Sequence, residues 1–113
     1  MPINNSLTRA DAPEIMSWVV HGSTYEEIAV SSGQTYVAPA TGWVVFEGTA
    51  NSPGNHIRLQ NGVITSCTAN MSGTNYKKIA SYIPVAKGGG VLVEFSDISS
   101  TDRFRFYYCR GDE

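Results

Sequence analysis

Charge is scarce in this 113-residue chain: Asp, Glu, Lys and Arg make up 16% of it against 42% hydrophobic residues, and the formal net charge is −2. Without a basic stripe there is no electrostatic footprint for nucleic acid, and so apolar a composition is not that of a disordered chain. Long hydrophobic runs are missing too. None approaches the length that crosses a bilayer, so a soluble protein without membrane insertion is expected. Histidine occurs only at His21 and His56, and cysteine only at Cys67 and Cys109. Neither cysteine has a Cys or His partner at ligand spacing, so no metal site is expected. Met1–Met16 lacks the charged-then-apolar order of a secretory leader. The two thiols are therefore expected to be reduced and partly buried, and a bridge between them would require neighbouring strands.

Catalytic signatures are also lacking. There is no Gly-x-Ser-x-Gly, no His-Glu-x-x-His and no phosphate-cradling glycine loop. Gly88-Gly89-Gly90 has no helix after it to receive an anion. Glu26 and Glu27 are adjacent, so on a strand they point to opposite faces, a poor start for a pair of glycosidase carboxylates. The expectation is a protein that is not an enzyme and holds no cofactor.

What the sequence does contain is organised around Thr35–Gly48. Pro39 closes a short β-prone segment and opens a turn, and Gly42 is expected to supply a positive φ there. From Trp43 to Phe46 both alternating faces are apolar, with Trp43 and Val45 pointing one way and Val44 and Phe46 the other. An antiparallel strand with one wet face alternates apolar with polar residues, so the second face is expected to be covered by other chain or by another subunit.

The remaining segments read as short strands between turns. Thr24–Val30 is expected to form a hairpin with Thr35 and its successors through Ser31–Gly33. His56–Gln60 alternates, with Ile57 and Leu59 inward. Asn61-Gly62 is the strongest two-residue hairpin signal, leading into Val63–Ala69. Tyr76–Ala86 places Ile79, Ser81, Ile83 and Val85 on one side, and Pro84 demotes it to an edge or a bulge. Val91–Phe95 is a strand, Asp97–Asp102 a polar loop, and Arg103–Cys109 a final strand with Phe104, Phe106 and Tyr108 on one face. The fold class is all-β, an antiparallel sandwich or barrel of about eight strands. Residues 1–16 form a polar arm or tether, and residues 17–113 form the domain, with Ser17–Val20 as a short strand leading in.

Three segments in this order, Tyr36-Val37-Ala38-Pro39-Ala40-Thr41-Gly42-Trp43-Val44, Ile83-Pro84-Val85-Ala86-Lys87-Gly88 and Arg103-Phe104-Arg105-Phe106-Tyr107-Tyr108, resemble small jelly-roll domains at the tips of bacteriophage tail fibres and other virion projections. Those domains share a shape with the trimeric globular heads of complement and tumour-necrosis-factor proteins. The resemblance covers roughly residues 24–109. It implies a jelly-roll β-sandwich that forms a homotrimer in the virion, made in the bacterial host cytoplasm and joined to other virion proteins through the N-terminal arm. A capsid decoration protein and a carbohydrate-binding module are the competing readings. The candidate oligomer interface is Trp43, Val45, Val91, Val93, Phe106, Tyr107 and Tyr108, where strands look apolar on both sides.

Host-surface glycan recognition is assigned to two polar loop regions, through Asn51, Asn55, His56 and Arg58 in one and Asn75 and Tyr76 in the other. Amides hydrogen-bond to sugar hydroxyls and an aromatic face stacks on the ring. Arg110-Gly111-Asp112 spells an adhesion tripeptide, which chance explains more simply. Asn4-Asn5-Ser6 and Asn70-Met71-Ser72 fit the glycosylation pattern and are expected to be unmodified without a secretory route.

Overall fold

Period-two alternation, with no segment of helical spacing, leaves pairing between strands as the way to satisfy the backbone. A computed structural model of the chain describes residues 21–70 and 77–109. Eight strands run in order: β1 His21–Glu27, β2 Gln34–Val37, β3 Gly42–Ala50, β4 His56–Gln60, β5 Thr65–Thr68, β6 Lys77–Val85, β7 Gly90–Ser96 and β8 Ile98–Cys109. They form two antiparallel sheets of order β1-β8-β3-β6 and β2-β7-β4-β5. The pairing is nested. First strand meets last, second meets seventh, third meets sixth and fourth meets fifth, as though one long hairpin had been rolled up. The arm at residues 1–16, the segment 17–20, Asn75, Tyr76 and the C-terminal tripeptide lie outside the described residues.

The core is built from the inward faces of β3, β4, β6, β7 and β8. Val44, Phe46, Ile57, Leu59, Ile83, Val91, Val93 and Phe106 are fully buried, and Phe46 packs its ring against Phe95 and Phe104 at 4.9 and 4.6 Å. Ile79, Ser81, Ile83 and Val85 share the buried side of β6 as the alternation predicts, and β6 is an edge strand as Pro84 predicts. Where β5 and β6 approach, the Thr68 hydroxyl donates to the Ala80 carbonyl and accepts from the Ser81 hydroxyl, each at 2.8 Å. Those bonds join the two sheets along one side.

Several expectations are corrected. Val91, Val93 and Phe106 have no surface to offer a second subunit, because they fill this core. Residues 24–37 do not form a hairpin. The turn is present, with Gly33 at φ 91°, but it carries the chain from one sheet to the other. Asn61-Gly62 opens a four-residue connection, since Gln60 pairs with Thr65. Only Gly62 takes positive φ there, and the Asn61 side chain accepts from the Val63 and Ile64 N–H groups at 2.8 and 2.9 Å. Residues 98–102 are strand, drawn into β8 by pairing with the far end of β3, and the turn is left to Asp97 at φ 56°.

Gly42 is required for a different reason from the one expected. Its φ is not positive, but a Cβ at that position would lie 2.2 Å from the Tyr107 carbonyl oxygen and 2.5 Å from the Phe106 ring. Cys67 is exposed on β5 and Cys109 buried on β8, neither is in a disulfide, and their strands belong to different sheets.

Candidate functional site

Among the described residues, the outward face of the β1-β8-β3-β6 sheet concentrates the accessible aromatic surface. Trp43 lies opposite Pro84 on one side and Tyr107 on the other, and Tyr107 lies opposite Tyr25. One cross-strand row, Pro84–Trp43–Tyr107–Tyr25, therefore crosses all four strands, a span of about 14 Å at the usual strand spacing. The next row begins with Tyr82 beside Val45 and Arg105. Tyr82 is 61% exposed and Tyr25 43%, whereas Trp43, Val45 and Tyr107 are half-buried. Rings on this face meet one another: those of Trp43 and Tyr82 lie 6.4 Å apart and those of Tyr25 and Tyr107 5.4 Å.

Arg105 is pinned within this face. Its Nε donates to Glu27 Oε2 at 2.9 Å, its Nη1 donates to the Tyr107 hydroxyl at 3.2 Å, and its guanidinium sits 4.1 Å from the centre of the Tyr25 ring. The hydrogen bond to Tyr107, followed by that to Glu27, raises the Arg105 pKa further. A cation over a ring that is also forked between two oxygens is a rigid anchor.

A second polar group closes the opposite side of the sandwich from the Thr68–Ser81 bonds, where edge strands β1 and β2 lie. The Tyr108 hydroxyl donates to the Glu26 carboxylate. That bond, then burial, raises the Tyr108 pKa. Tyr36, with its ring 6.0 Å from Phe106, is pushed up to about 12, first by burial and then by the nearby Glu26 charge and Tyr108. Such phenols hold their protons, so they are poor general bases at neutral pH.

The residues assigned to glycan recognition do not make one surface. Asn51 is exposed on the β3–β4 connection, and its N–H donates to the Asp97 carbonyl. Asn55 is buried and fully engaged: its Nδ2 donates to the Ser52 and Asn70 carbonyls, and its Oδ1 accepts from the Asn70 N–H. It clamps loops together and presents no amide to a ligand. His56 and Arg58 point outward on the other sheet, and Arg58 is paired with Glu94 at 2.9 Å. Asn75 and Tyr76 lie outside the described residues. Of the interface candidates, Trp43, Val45 and Tyr107 do share an outward face, while Tyr108 turns inward and packs edge-on against Phe106 at 5.0 Å.

Sequence reasoning missed Tyr25, Tyr82, Pro84 and Arg105 as members of the Trp43 face. Alternation along β6 already pairs Tyr82 with Pro84, but the register that brings both to Trp43 is a tertiary fact. Among the described residues no group of His, Cys, Asp and Glu is arranged to hold a metal ion, and no buried side-chain nitrogen or oxygen lacks a hydrogen-bond partner. No family model, no curated protein and no solved structure matches the chain.

Proposed function

We propose that this chain is a non-enzymatic jelly-roll domain that works as a homotrimer at the tip or knob of a phage tail fibre, attached through its N-terminal arm and directed at a host-surface glycan. The nested strand order supports the jelly-roll reading, since two Greek keys wound together give that neighbour relation. The observation that carries the assembly is the Pro84–Trp43–Tyr107–Tyr25 row with Tyr82 beside it. Contiguous aromatic and aliphatic surface of this kind marks an interaction site, and enrichment in Tyr and Trp with an engaged Arg is the composition of an interface centre.

The same row favours one second reading, a monomeric carbohydrate-binding module whose rings stack on sugar. Mass measured by light scattering at micromolar concentration separates the two. The trimer predicts three times the monomer mass for the native chain and monomer mass for a Tyr25→Asp/Tyr82→Asp variant with unchanged circular dichroism. A native chain at monomer mass overturns the assembly and leaves the face to a ligand.

A further inference from the structure

The two ends of the sandwich differ in character. One end carries the β2–β3, β4–β5 and β6–β7 connections, tied together by Asn61 Nδ2 donating to the Pro84 carbonyl at 2.8 Å and by backbone bonds between Ala38 and the Gly88–Gly89 turn. Its accessible side chains are Val37, Pro39, Val63, Ile64 and Ala86, with Lys87 the one charged residue on those three connections. Val63 is 88% exposed and Ile64 49%. This tip is held rigidly. Asn61 Oδ1 accepts from both the Val63 and Ile64 N–H groups, and the Asn61 N–H donates to the Ile64 carbonyl at 3.2 Å. A loop fixed this firmly around two bare aliphatic side chains presents them at no further ordering cost.

The chain also enters the fold at this end. His21 pairs with Cys109, and the Cys109 N–H donates to the Thr41 carbonyl in the β2–β3 connection. The six residues before His21 are Ile15-Met16-Ser17-Trp18-Val19-Val20, and Asp11 and Glu14 precede them. We infer that the apolar end of the sandwich, centred on Val63 and Ile64, is the seat of residues 15–20 of the same chain. The reach is sufficient. From β1 to β6, whose end holds the Asn61 tip, is about 14 Å across the sheet, and six extended residues span about 20 Å. Charge agrees, because Asp11 and Glu14 would approach an end whose connections carry only Lys87. Among the described residues of the connections at the opposite end, Ser31, Ser32, Asn51 and Asp97 are exposed and no large aliphatic side chain is. This seat does not depend on the trimer, and it would fix the direction in which the arm leaves the domain.

Trp18 and Trp43 are the two tryptophans, so a Trp43→Phe chain reports on Trp18 alone. The expected result is blue-shifted emission and an acrylamide quenching constant at least threefold below that of the urea-unfolded chain. Adding Val63→Ser/Ile64→Ser should return quenching to the unfolded value while circular dichroism stays unchanged. Should Trp43→Phe fail to fold, the difference between the native spectrum and that of Trp18→Phe gives the same reading. Quenching of Trp18 equal to the unfolded value overturns the inference, as does protection that the Val63/Ile64 change does not move. Protection lost on dilution in step with falling mass assigns the segment to a second copy and overturns the same-chain seat.

Discussion

The Asn55 side chain holds the Asn70 backbone as a neighbouring strand would, accepting its N–H at 2.6 Å and donating to its carbonyl at 2.9 Å. The amide thereby does the work of a ladder step where β3–β4 and β5–β6 connections meet. A loop asparagine that would look available to a ligand is a structural clamp.

Replacing Asn55 by alanine removes the amide that meets the Asn70 N–H and carbonyl in a nearly dry site, and leaves the Ser52 carbonyl with the residue-55 backbone N–H alone. Stability should fall by about 1–3 kcal/mol, read as a lower urea midpoint with unchanged slope. An unchanged midpoint would mean that water replaces the clamp.

Gly42→Ala should be more severe, by about 3 kcal/mol or more. The added methyl meets the Tyr107 carbonyl at 2.2 Å, and backbone cannot move aside as a side chain can. Gly88, with open space around it and φ 80°, should cost less when changed to alanine, through left-handed strain alone. Thermal melts of the two variants give the comparison.

The strands with buried alternation were legible in the sequence because one face of each is paid in full by the core: Val44 and Phe46, Ile57 and Leu59, and Ile79 through Val85 all lie where period two puts them. What was not legible is which strand neighbours which. Ser31–Gly33 carries ordinary turn chemistry, and nothing local tells a hairpin from a crossing between sheets. Ser99 to Asp102 looks like loop because its side chains are polar, yet the backbone pairs with β3 regardless. Read locally, Val91 and Phe106 lie on strands with two apolar faces. The outward companion of Phe106, Tyr107, is met from the side by Tyr25 and Arg105 in the same sheet, a contact that only register creates. The Trp43 face was half visible for that reason, and the aliphatic end not at all, since Val63 reads as strand until its turn is seen.

Tyrosine ionisation gives a pH test. In the unfolded chain Tyr36 ionises at its ordinary 10.0, and in the folded chain it keeps its proton to about 12. Across that interval the unfolded state binds fewer protons, so stability that is complete below pH 10 is lost as pH rises towards 12. Absorbance titration should show a late-ionising phenol, and Tyr36→Phe should flatten the alkaline fall in melting temperature.

Native thiol titration should find one fast cysteine per chain. Cys67 is exposed on an edge strand and Cys109 is 1% exposed, so a disulfide reagent reaches the second only when the fold opens. Cys67→Ser should abolish the fast phase, and two equally fast thiols would contradict the placement of Cys109.

The sharpest contrast lies between two aromatic residues on the same sheet. Phe106 is fully buried, 6.0 Å from Tyr36 and 5.0 Å from Tyr108 between ring centres. A carboxylate there costs several kcal/mol, a large share of the roughly 5–15 kcal/mol that holds a domain of this size together. Phe106→Asp should therefore unfold the protein outright. Tyr82 turns to the other side of that sheet with most of its ring in solvent, so Tyr82→Asp should melt within a few degrees of the native chain. Its effect should fall on whatever binds the Trp43 face, read as lost mass if a second copy sits there. Equal damage from both changes would mean that the outward face is packed as tightly as the core, and the division of the sheet into a structural side and a binding side would fail.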